Sequence, residues 1–336
     1  MSDAIYPLTF SPVFRSYIWG GRNLETKLGR TIPNGIVAES WEISGHPSSP
    51  TKVAQGLFVG KTLIEVMDIL GLDLVGSRSQ QMLKRGKFPL LIKLLDANQP
   101  LSVQVHPKDD YANIHENGEL GKTEMWYILY AKPGAHLIYG LRSGVTPESF
   151  RENLEAGTLE TCLHELPVVP GDSVFIPAGS IHAIMDGIVL AEIQQNSDTT
   201  YRVYDWNRVD AEGKSRPLHV DKAIDVTNFE QVEPGPYLSE MIDKNDRFRH
   251  EFITRCPYFN VERLKFSEGT HTFSGECDGS TFEIWGVMSG RAVVIWDDGN
   301  LMPLSAVRFV LLPAQLGKFE IEVTGPATLL RTYVPE

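Results

Sequence analysis

The stretch LSVQVHPKDDYANIHENGELGKTE (Leu101–Glu124) decides how the rest of this chain is interpreted. Gln104 and His106 lie two positions apart among valines, a pattern that predicts a strand with both side chains on one face. After a polar turn region, Glu124 opens a second strand-like run, EMWYILY. Three side chains that can bind a metal ion therefore stand on two predicted strands close together in the sequence.

A second segment, GDSVFIPAGSIH (Gly171–His182), predicts a strand, a turn and a new strand that begins with a histidine. If neighbouring strands bring the two segments together inside a small barrel, four candidate ligands converge: Gln104, His106, Glu124 and His182. Two imidazoles, one carboxylate and one amide oxygen form a mixed set with one negative charge. Zinc accepts this set, and so do Co, Fe, Mn and Ni. The ion keeps positive charge and open positions, which favours a Lewis-acid role over a structural one.

Length, charge and cysteine content narrow the class of protein. A chain of 336 residues predicts two domains, each with its own core. The net charge of −12 argues against nucleic acid or an acidic membrane as partner, so an anionic small substrate must meet a local basic cluster. No apolar run approaches the roughly 20 residues that span a bilayer, and the N-terminus lacks a signal-peptide pattern. Three scattered cysteines indicate reduced thiols, and we expect a cytoplasmic protein.

Many short strands with Gly and Pro turns in both halves predict a mainly β protein of barrels or sandwiches. The run FPLLIKLLDA (88–97) is nearly continuous in apolar residues and predicts a buried strand. Apolar spacing predicts one or two helices over 62–82, and Thr-Pro-Glu at 146–148 predicts a helix that ends near Gly157. Further helical segments are expected around 159–166 and, together with a connection, within 217–246.

A strand–Pro-Ala–strand pattern occurs twice, at Pro177-Ala178 and at Pro313-Ala314. The first copy leads to His182, whereas the second has Leu316 and Gly317 in the corresponding region. If each copy belongs to a barrel, only the first barrel is expected to carry a metal ion.

These motifs resemble those of a known superfamily and family. The positions Gly171, Pro177, Gly179 and His182 match the second motif of the cupin superfamily, and the other three candidate ligands stand where its first motif places ligands. FPLLIKLLDANQPLSVQVHP, GKTEMWY, WGG, ESWEIS and QQNSDTTYRVYDW are similar to type I mannose-6-phosphate isomerases, most closely to their short bacterial form. The resemblance covers most of residues 7–235 and, more faintly, the C-terminal block.

The resemblance implies a fold, an activity and a cofactor. The implied fold is mainly β, with two cupin (jelly-roll) β-barrels, a few peripheral helices and no inserted helical domain, because the interval from Glu124 to His182 is short. Residues 1–240 would form the catalytic metal-binding domain and residues 241–336 a metal-free cupin-like domain. The implied reaction interconverts mannose 6-phosphate and fructose 6-phosphate, with one zinc ion bound by Gln104, His106, Glu124 and His182.

Further site residues follow from the family pattern, position by position. Family active-site positions fall on Lys93, Lys122, Asp198 and Arg202. Ser102 matches a serine of the substrate pocket. Some members have a histidine directly before the motif lysine, whereas this chain has Gly121, so a mechanism with that histidine as base does not apply here.

The chemistry of the reaction assigns roles to these residue types. Arg202 can stabilise the same sugar oxygens as the metal ion in a cis-enediolate. The general base stays open among Asp198, Glu192 and a lysine. Candidate phosphate ligands are Ser102, Lys93, Lys122 and Arg142. This local basic set would attract an anionic substrate despite the negative net charge.

Two alternatives remain at this stage. The first is another cupin enzyme, such as a metal-dependent oxygenase or a cupin-type sugar-phosphate isomerase acting on glucose 6-phosphate. The second is a non-catalytic sugar-phosphate-binding cupin, which would keep the basic cluster but need no base. For the isomerase we expect a small-molecule sugar phosphate, mannose 6-phosphate or fructose 6-phosphate, as partner and a monomer or weak homo-oligomer.

Overall fold

The computed structural model describes residues 5–209, 213–245, 247–297 and 299–336, and it consists mainly of β-strands. The helices in these ranges are short. Their bounds are α1 Asn23–Thr26, α2 Leu63–Leu70, α3 Leu72–Val75, α4 Gln80–Lys84, α5 Asp109–His115, α6 Pro147–Glu155 and α7 Val220–Val226, with 3₁₀ turns at Ser77–Ser79 and Leu159–Cys162. In the described ranges, no helix has the length and apolar composition of a membrane-spanning segment.

Two helices begin at capping residues that are visible in the sequence. Thr62 accepts a hydrogen bond from the backbone N–H of Glu65, whose carboxylate accepts one from the backbone N–H of Thr62, so α2 starts with a capping box. Thr146 caps α6 in the same way with Ser149 as its reciprocal partner, and Pro147 is the first helical residue. The helices predicted at both places are confirmed.

The first thirteen strands form three sheets. The strands are β1 Phe10–Ser11, β2 Val13–Arg15, β3 Glu39–Ser44, β4 Lys52–Val53, β5 Leu90–Ala97, β6 Val103–Val105, β7 Glu124–Ala131, β8 His136–Leu141, β9 Leu163–Pro167, β10 Ser173–Ile176, β11 His182–Ile184, β12 Ile188–Gln195 and β13 Tyr201–Tyr204. A six-stranded sheet has the order β10-β7-β12-β5-β3-β2, a five-stranded sheet has the order β13-β6-β11-β8-β9, and β1 pairs with β4. We call the six- and five-stranded sheets the first barrel.

The two sheets of the first barrel face each other. Glu124 begins β7 in the six-stranded sheet, and its carboxylate lies 3.5 Å from the imidazole of His182, which begins β11 in the five-stranded sheet. The predicted buried strand within 88–97 is confirmed as β5, whose eight residues are all buried.

The remaining strands form a second pair of sheets, which we call the second barrel. They are β14 Glu240–Asn245, β15 Phe248–Arg255, β16 Asn260–Phe266, β17 Thr270–Cys277, β18 Glu283–Ser289, β19 Arg291–Trp296, β20 Asn300–Ser305, β21 Arg308–Leu312, β22 Gly317–Thr324 and β23 Ala327–Tyr333. The sheet orders are β14-β15-β16-β23-β18-β21 and β17-β22-β19-β20. Side chains from both sheets, such as Trp285 and Phe319, share one apolar core.

In both barrels the chain changes sheets at the Pro-Ala turn. Strand β10 belongs to the six-stranded sheet and β11 to the five-stranded sheet, and β21 and β22 are divided in the same way. Such crossings produce a jelly roll instead of a series of hairpins. Between Glu124 and His182, a segment described in full, only α6 and one 3₁₀ turn are helical. The predicted fold class of two barrels with peripheral helices and no inserted helical domain is confirmed.

The chain forms two compact units that are discontinuous in sequence. One contains residues 1–13, 40–93 and 237–336, and the other contains residues 14–39 and 94–236. One division, between Pro236 and Tyr237, lies close to the predicted domain boundary, but residues 40–93 group with the C-terminal strands. The predicted catalytic domain of residues 1–240 and cupin-like domain of residues 241–336 stay a prediction.

Two local predictions need correction. Around 159–166 only Leu159–Cys162 forms a 3₁₀ turn, and the following residues form β9, because they pair with β8 along a register that includes Ile138 and Glu165. Within 217–246 the predicted helix is confirmed as α7, but the expected connection also contains β14, which pairs with β15. The last residue of that prediction, Asp246, lies outside the described residues.

Candidate metal centre

The strand register of the first barrel brings the candidate ligands together. Gln104 on β6 lies directly opposite His182 on β11 in the five-stranded sheet. Glu124, the first residue of β7, pairs with Ile176 at the end of β10, and the Pro-Ala turn then carries the chain to β11. The turn that follows Ile176 therefore sets His182 against the carboxylate of Glu124.

Three of the four predicted ligands form a buried cluster. His106 Nε2 lies 3.7 Å from Glu124 Oε2, and His182 Nε2 lies 3.5 Å from Glu124 Oε1. The two imidazole rings are 4.8 Å apart, centre to centre. All three residues are at most 1% exposed, and one ligand atom from each lies within 4.8 Å of the others. This arrangement suits three ligands of a single ion.

The second nitrogen of each imidazole is held by a backbone carbonyl. His106 Nδ1 lies 2.9 Å from the carbonyl oxygen of Thr199, and His182 Nδ1 lies 2.9 Å from that of Ser180. A carbonyl oxygen can only accept a hydrogen bond, so the Nδ1 atom of each ring carries the hydrogen. Each Nε2 atom therefore has a free lone pair, which it presents towards Glu124. Burial also lowers the pKa of His182 to about 4, which keeps that ring neutral. The donor set therefore fits a divalent metal ion.

The fourth predicted ligand, Gln104, borders the same cluster. Its Nε2 lies 3.2 Å from Nε2 of His182, and its side chain is half-buried. A rotation of the amide by half a turn presents the oxygen in place of the nitrogen. Arg202 on β13 lies opposite Gln104 on the other side of β6, so the candidate ligands and Arg202 share one sheet.

Lys122 is a buried cation beside the cluster. Its Nζ lies 2.8 Å from Glu124 Oε2, and the residue is 5% exposed. Burial alone would lower the pKa of Lys122, but the carboxylates of Glu124 and Glu192 outweigh burial and raise it. Lys122 is therefore an ammonium group in this structure, placed next to the ligand carboxylate.

Gly121 has a packing role that the sequence did not reveal. A Cβ at this position would lie 2.5 Å from the backbone nitrogen of Asp109 and 2.8 Å from the carbonyl oxygen of Pro107. The N–H of Gly121 donates to Asp109 Oδ1 at 2.7 Å, and the N–H of Lys122 donates to the carbonyl of Pro107 at 3.0 Å. Any residue with a Cβ, histidine included, would collide here with the segment that follows His106.

The other predicted catalytic residues occupy different environments. Arg202 is half-buried. Its Nε donates a hydrogen bond to Oγ of the buried Ser102 at 3.3 Å, and its NH1 donates one to the carbonyl oxygen of Pro217 at 3.0 Å. Asp198 is exposed, yet its charge contributes to the raised pKa of Lys122. Glu192 is 2% exposed, and Trp126 Nε1 donates to its Oε2 at 3.0 Å.

Two of the predicted basic residues, Lys93 and Arg142, contact residues outside the ligand cluster. Lys93 on β5 is 3% exposed, and its Nζ lies 4.7 Å from the centre of the Trp41 ring, a cation–π contact that offsets part of the cost of burial. Arg142 is exposed just after β8, and its Nε donates to the carbonyl of Leu163 at 2.8 Å. The predicted roles of Lys93 and Arg142 in substrate binding stay predictions.

Sequence reasoning missed several supporting residues. Trp126 donates a hydrogen bond to Glu192, and its ring meets the His182 ring edge-on, with the ring centres 5.4 Å apart. Because Trp126 follows Glu124 by two residues on a strand, the spacing could have indicated that the two side chains share a face. Near Arg202, two further arginines, Arg208 and Arg216, both bind the buried Asp205. These arginines lower the pKa of Arg202 in addition to the effect of burial. The sequence around Arg208 and Arg216 has no periodic pattern that could have indicated this contact with Asp205.

Comparisons with known proteins point to one family. A family model described as phosphomannose isomerase type I, catalytic domain, matches residues 8–128. The probable mannose-6-phosphate isomerase GmuF of Bacillus subtilis is 39% identical over 328 residues, which is 95% of this chain and 97% of that protein. Mannose-6-phosphate isomerase ManA of the same organism is 40% identical over 316 residues, 94% of this chain and 96% of that protein.

A solved structure gives the same result in three dimensions. The crystal structure of a mannose 6-phosphate isomerase from Bacillus subtilis aligns with a TM-score of 0.85 at 34% sequence identity. The alignment covers 97% of this chain and 99% of the solved chain. Sequence and fold thus agree over nearly the whole length. The chain therefore belongs to the type I phosphomannose isomerases, a family of aldose–ketose isomerases.

Proposed function

We propose that this protein interconverts mannose 6-phosphate and fructose 6-phosphate with one zinc ion per chain. Its relatives in Bacillus subtilis carry the name of this reaction and match nearly its full length. The observation that carries the proposal is the buried cluster of His106, Glu124 and His182, in which both Nε2 atoms face one carboxylate. We include Gln104 as the fourth ligand because it borders His182.

The donor chemistry supports a Lewis-acid metal ion. Two neutral imidazoles, one carboxylate and one amide oxygen suit zinc, although cobalt, manganese, iron and nickel accept the same set. When bound, the ion would polarise the oxygens on C1 and C2 of the sugar and contribute several kcal/mol of stabilisation to the developing negative charge. We choose zinc because the family pattern implies it.

The reaction requires charge stabilisation by the protein itself. Opening of the sugar ring and loss of a proton next to the carbonyl produce a cis-enediolate, whose negative charge lies on two adjacent oxygens. Arg202 is held through Nε by Ser102 and through NH1 by the carbonyl of Pro217, so its guanidinium cannot swing freely. A guanidinium fixed in this way can donate to those oxygens without the cost of reorientation.

A base must move one proton between C2 and C1. Because a cis-enediolate presents both carbons on the same face, a single base can remove the proton from one carbon and return it to the other. Glu192 is buried and Asp198 is exposed. Lys122 is an ammonium group in this structure, so it would serve as the base only after it had released its own proton. The variants Glu192→Gln, Lys122→Met and Asp198→Asn separate these candidates, because loss of the base removes proton exchange with solvent as well as turnover.

The phosphate group requires donors apart from the metal ion. Candidates are Ser102, Lys93, Lys122 and Arg142. The test is to replace each one and compare KM for mannose 6-phosphate with kcat. Loss of a phosphate ligand weakens ground-state binding as well as turnover, so a raised KM identifies it. The cytoplasmic location and the monomeric or weakly oligomeric state stay predictions.

A coupled assay tests the proposed function. The metal-loaded protein is incubated with mannose 6-phosphate, and fructose 6-phosphate is followed with and without a chelator. We expect conversion that stops on chelation and returns with added zinc. Absence of conversion with zinc, cobalt or manganese would reject the proposal. Glucose 6-phosphate as the preferred substrate would indicate a different sugar-phosphate isomerase, and binding without turnover would indicate a binding protein.

A further inference from the structure

Four consecutive polar residues at the end of strand β12 are buried. Residues 194–197 have the sequence QQNS, and each of them is at most 4% exposed. Burial of polar side chains is costly unless they form hydrogen bonds, so such a run requires partners inside the protein. Ser197 Oγ donates to the carbonyl oxygen of Leu120 at 2.8 Å, and the side chain of Gln195 binds Thr123 and Asp109. The run therefore contacts the segment that carries Lys122.

Gln195 binds Thr123 through both its main chain and its side chain. The N–H of Gln195 donates to the carbonyl oxygen of Thr123 at 3.1 Å, and Oε1 of Gln195 accepts from the N–H of Thr123 at 2.9 Å. Its Nε2 donates to Asp109 Oδ1 at 3.0 Å. The side-chain amide of Gln195 therefore joins the residue directly after Lys122 to the first residue of helix α5.

Asp109 holds the residue on the other side of Lys122. Its Oδ1 accepts a hydrogen bond from Gln195 Nε2 and another, at 2.7 Å, from the N–H of Gly121. The N–H of Lys122 itself donates to the carbonyl oxygen of Pro107 at 3.0 Å. Three consecutive N–H groups are thus bound by acceptors from other segments. The side chains of Asp109 and Gln195 supply two of these three acceptors.

The ligand Glu124 is held by a different set of contacts. It begins strand β7, where it lies opposite Ile176 on β10 and opposite Gln194 on β12. Residues 121–123 precede this strand, so their N–H groups rely on the acceptors described above. Loss of a side-chain acceptor should therefore displace Lys122 while the sheet keeps Glu124 in place.

We propose that Gln195 and Asp109 are positioning residues, which hold the ammonium group of Lys122 against the carboxylate of Glu124. Lys122 Nζ lies 2.8 Å from Glu124 Oε2, and a misplacement of about 1 Å in an active site can lower the rate by about 10²-fold. Both residues act on Lys122 through its neighbours in the chain. The effect on catalysis rests on the proposed function, whereas the hold on residues 121–123 is measurable without substrate.

The variant Gln195→Met tests the proposal, because methionine has a similar length but no amide that forms hydrogen bonds. The main-chain N–H of residue 195 can still donate to Thr123, so we expect the variant to fold. In metal-free protein, hydrogen–deuterium exchange at the amides of residues 121–123 should become about 5- to 10-fold faster. Zinc-loaded Gln195→Met should keep one ion per chain and an unchanged KM, while kcat falls by about 10- to 100-fold.

A double-mutant cycle with Lys122→Met identifies the residue through which Gln195 acts. If Gln195 acts through Lys122, adding Gln195→Met to the Lys122→Met variant should lower kcat no further. Two independent effects would instead multiply. Multiplied losses would overturn the proposal, and so would a lowered kcat in Gln195→Met beside a wild-type kcat in Lys122→Met.

Conservative and matched variants separate positioning from a general loss of stability. Asp109→Asn keeps Oδ1 as an acceptor and should retain most of the kcat that Asp109→Leu loses. The matched control is Thr51→Val, because Oγ1 of the buried Thr51 also accepts a hydrogen bond from a main-chain N–H, that of Ser44, at 3.0 Å. This control should lose similar stability, with unchanged kcat and unchanged exchange at residues 121–123.

Several results would overturn the assignment. They are unchanged exchange at residues 121–123 in Gln195→Met, faster exchange with a wild-type kcat, and loss of bound zinc, which would trace the effect to Glu124. If Gln195→Met does not fold, Asp109→Leu at its half-buried position supports the same measurements. If the wild-type protein shows no isomerase activity, the proposed function fails, and the exchange rates alone decide whether Gln195 and Asp109 hold the segment.

Discussion

Replacement of Gly121 by alanine tests whether backbone packing holds the segment that carries Lys122. The added Cβ would lie 2.5 Å from the nitrogen of Asp109, 2.6 Å from the carbonyl carbon of Lys108 and 2.8 Å from the oxygen of Pro107. All three are backbone atoms, which cannot turn aside as the end of a flexible side chain can. An ordinary contact of 3.4 Å with the closest atom requires a displacement of about 0.9 Å.

The size of the effect follows from this displacement. Overpacking in a buried site costs about 1–3 kcal/mol. The shift also weakens the N–H bonds of Gly121 and Lys122, to Asp109 and Pro107, each worth about 1 kcal/mol. We therefore expect the free energy of unfolding to fall by about 2–4 kcal/mol and Tm by roughly 5–15 °C. Because Lys122 pairs with Glu124, a shift near 1 Å should also lower kcat by about 10²-fold.

Thermal unfolding and the isomerase assay measure both effects in the same preparation. The matched control is Gly235→Ala, because Gly235 is exposed, has no atom within 4 Å of the added Cβ and does not have a left-handed φ. This control should leave kcat unchanged and either preserve or slightly raise Tm, by reducing the freedom of the unfolded chain. Wild-type Tm and kcat in Gly121→Ala would show that the backbone contact of Gly121 does not hold the segment that carries Lys122.

Three further variants each test one contact of the chain. Trp126→Phe removes the indole N–H that Glu192 accepts at 3.0 Å, so urea titration should show a loss of about 2 kcal/mol in unfolding free energy; an unchanged midpoint would contradict this. Thr146→Ala removes the side-chain cap of α6 and should cost about 1 kcal/mol, with isomerase kinetics unaltered. Asp205 is buried, which raises its pKa, but its two arginine partners outweigh burial and hold the pKa below 3.8. Its ionised form therefore stabilises the fold above about pH 4, and this contribution is lost as the pH falls through the folded pKa. Asp205→Asn should flatten the decline of Tm with falling pH in that acidic range, and an equally steep decline would contradict this assignment.

Local features of the sequence predicted much of the fold. Thr62 and Thr146 mark helix starts because a capping side chain acts on its own first turn, and the apolar run of β5 marks a strand buried on both faces. The four ligand candidates were also visible, because Gln104 and His106 share strand periodicity and His182 follows a distinctive turn. Such signals depend on neighbouring residues and need no knowledge of the tertiary structure.

Other features depend on contacts between distant segments. The run around 159–166 carries no local signal that separates a helix from the strand β9, which forms because β8 offers an edge for pairing. The packing of Gly121 against residues 107–109 arises because the chain returns, after α5, to the start of that helix. The carbonyl of Thr199 orients His106 across 93 residues of sequence, and spacing alone cannot reveal that contact.

The same limit applies to the second barrel. The missing histidine after Pro313-Ala314 predicts that no metal is bound there, but the sequence does not reveal what neutralises Glu283. Arg331 lies 48 residues further along the chain and reaches Glu283 only through the pairing of β18 with β23. A buried acid in one strand and an arginine in another become informative only when the register is known.

We have proposed that one metal ion, held by His106, Glu124 and His182, serves the isomerisation of mannose 6-phosphate. The most direct test strips the protein of metal and titrates zinc while bound metal and fructose 6-phosphate formation are measured on the same samples. We predict that activity rises linearly with bound zinc and reaches its plateau at one ion per chain, and that His106→Ala gives neither binding nor activity. Full activity in metal-free protein, or in a His106→Ala variant without metal, would contradict this dependence on a bound metal ion.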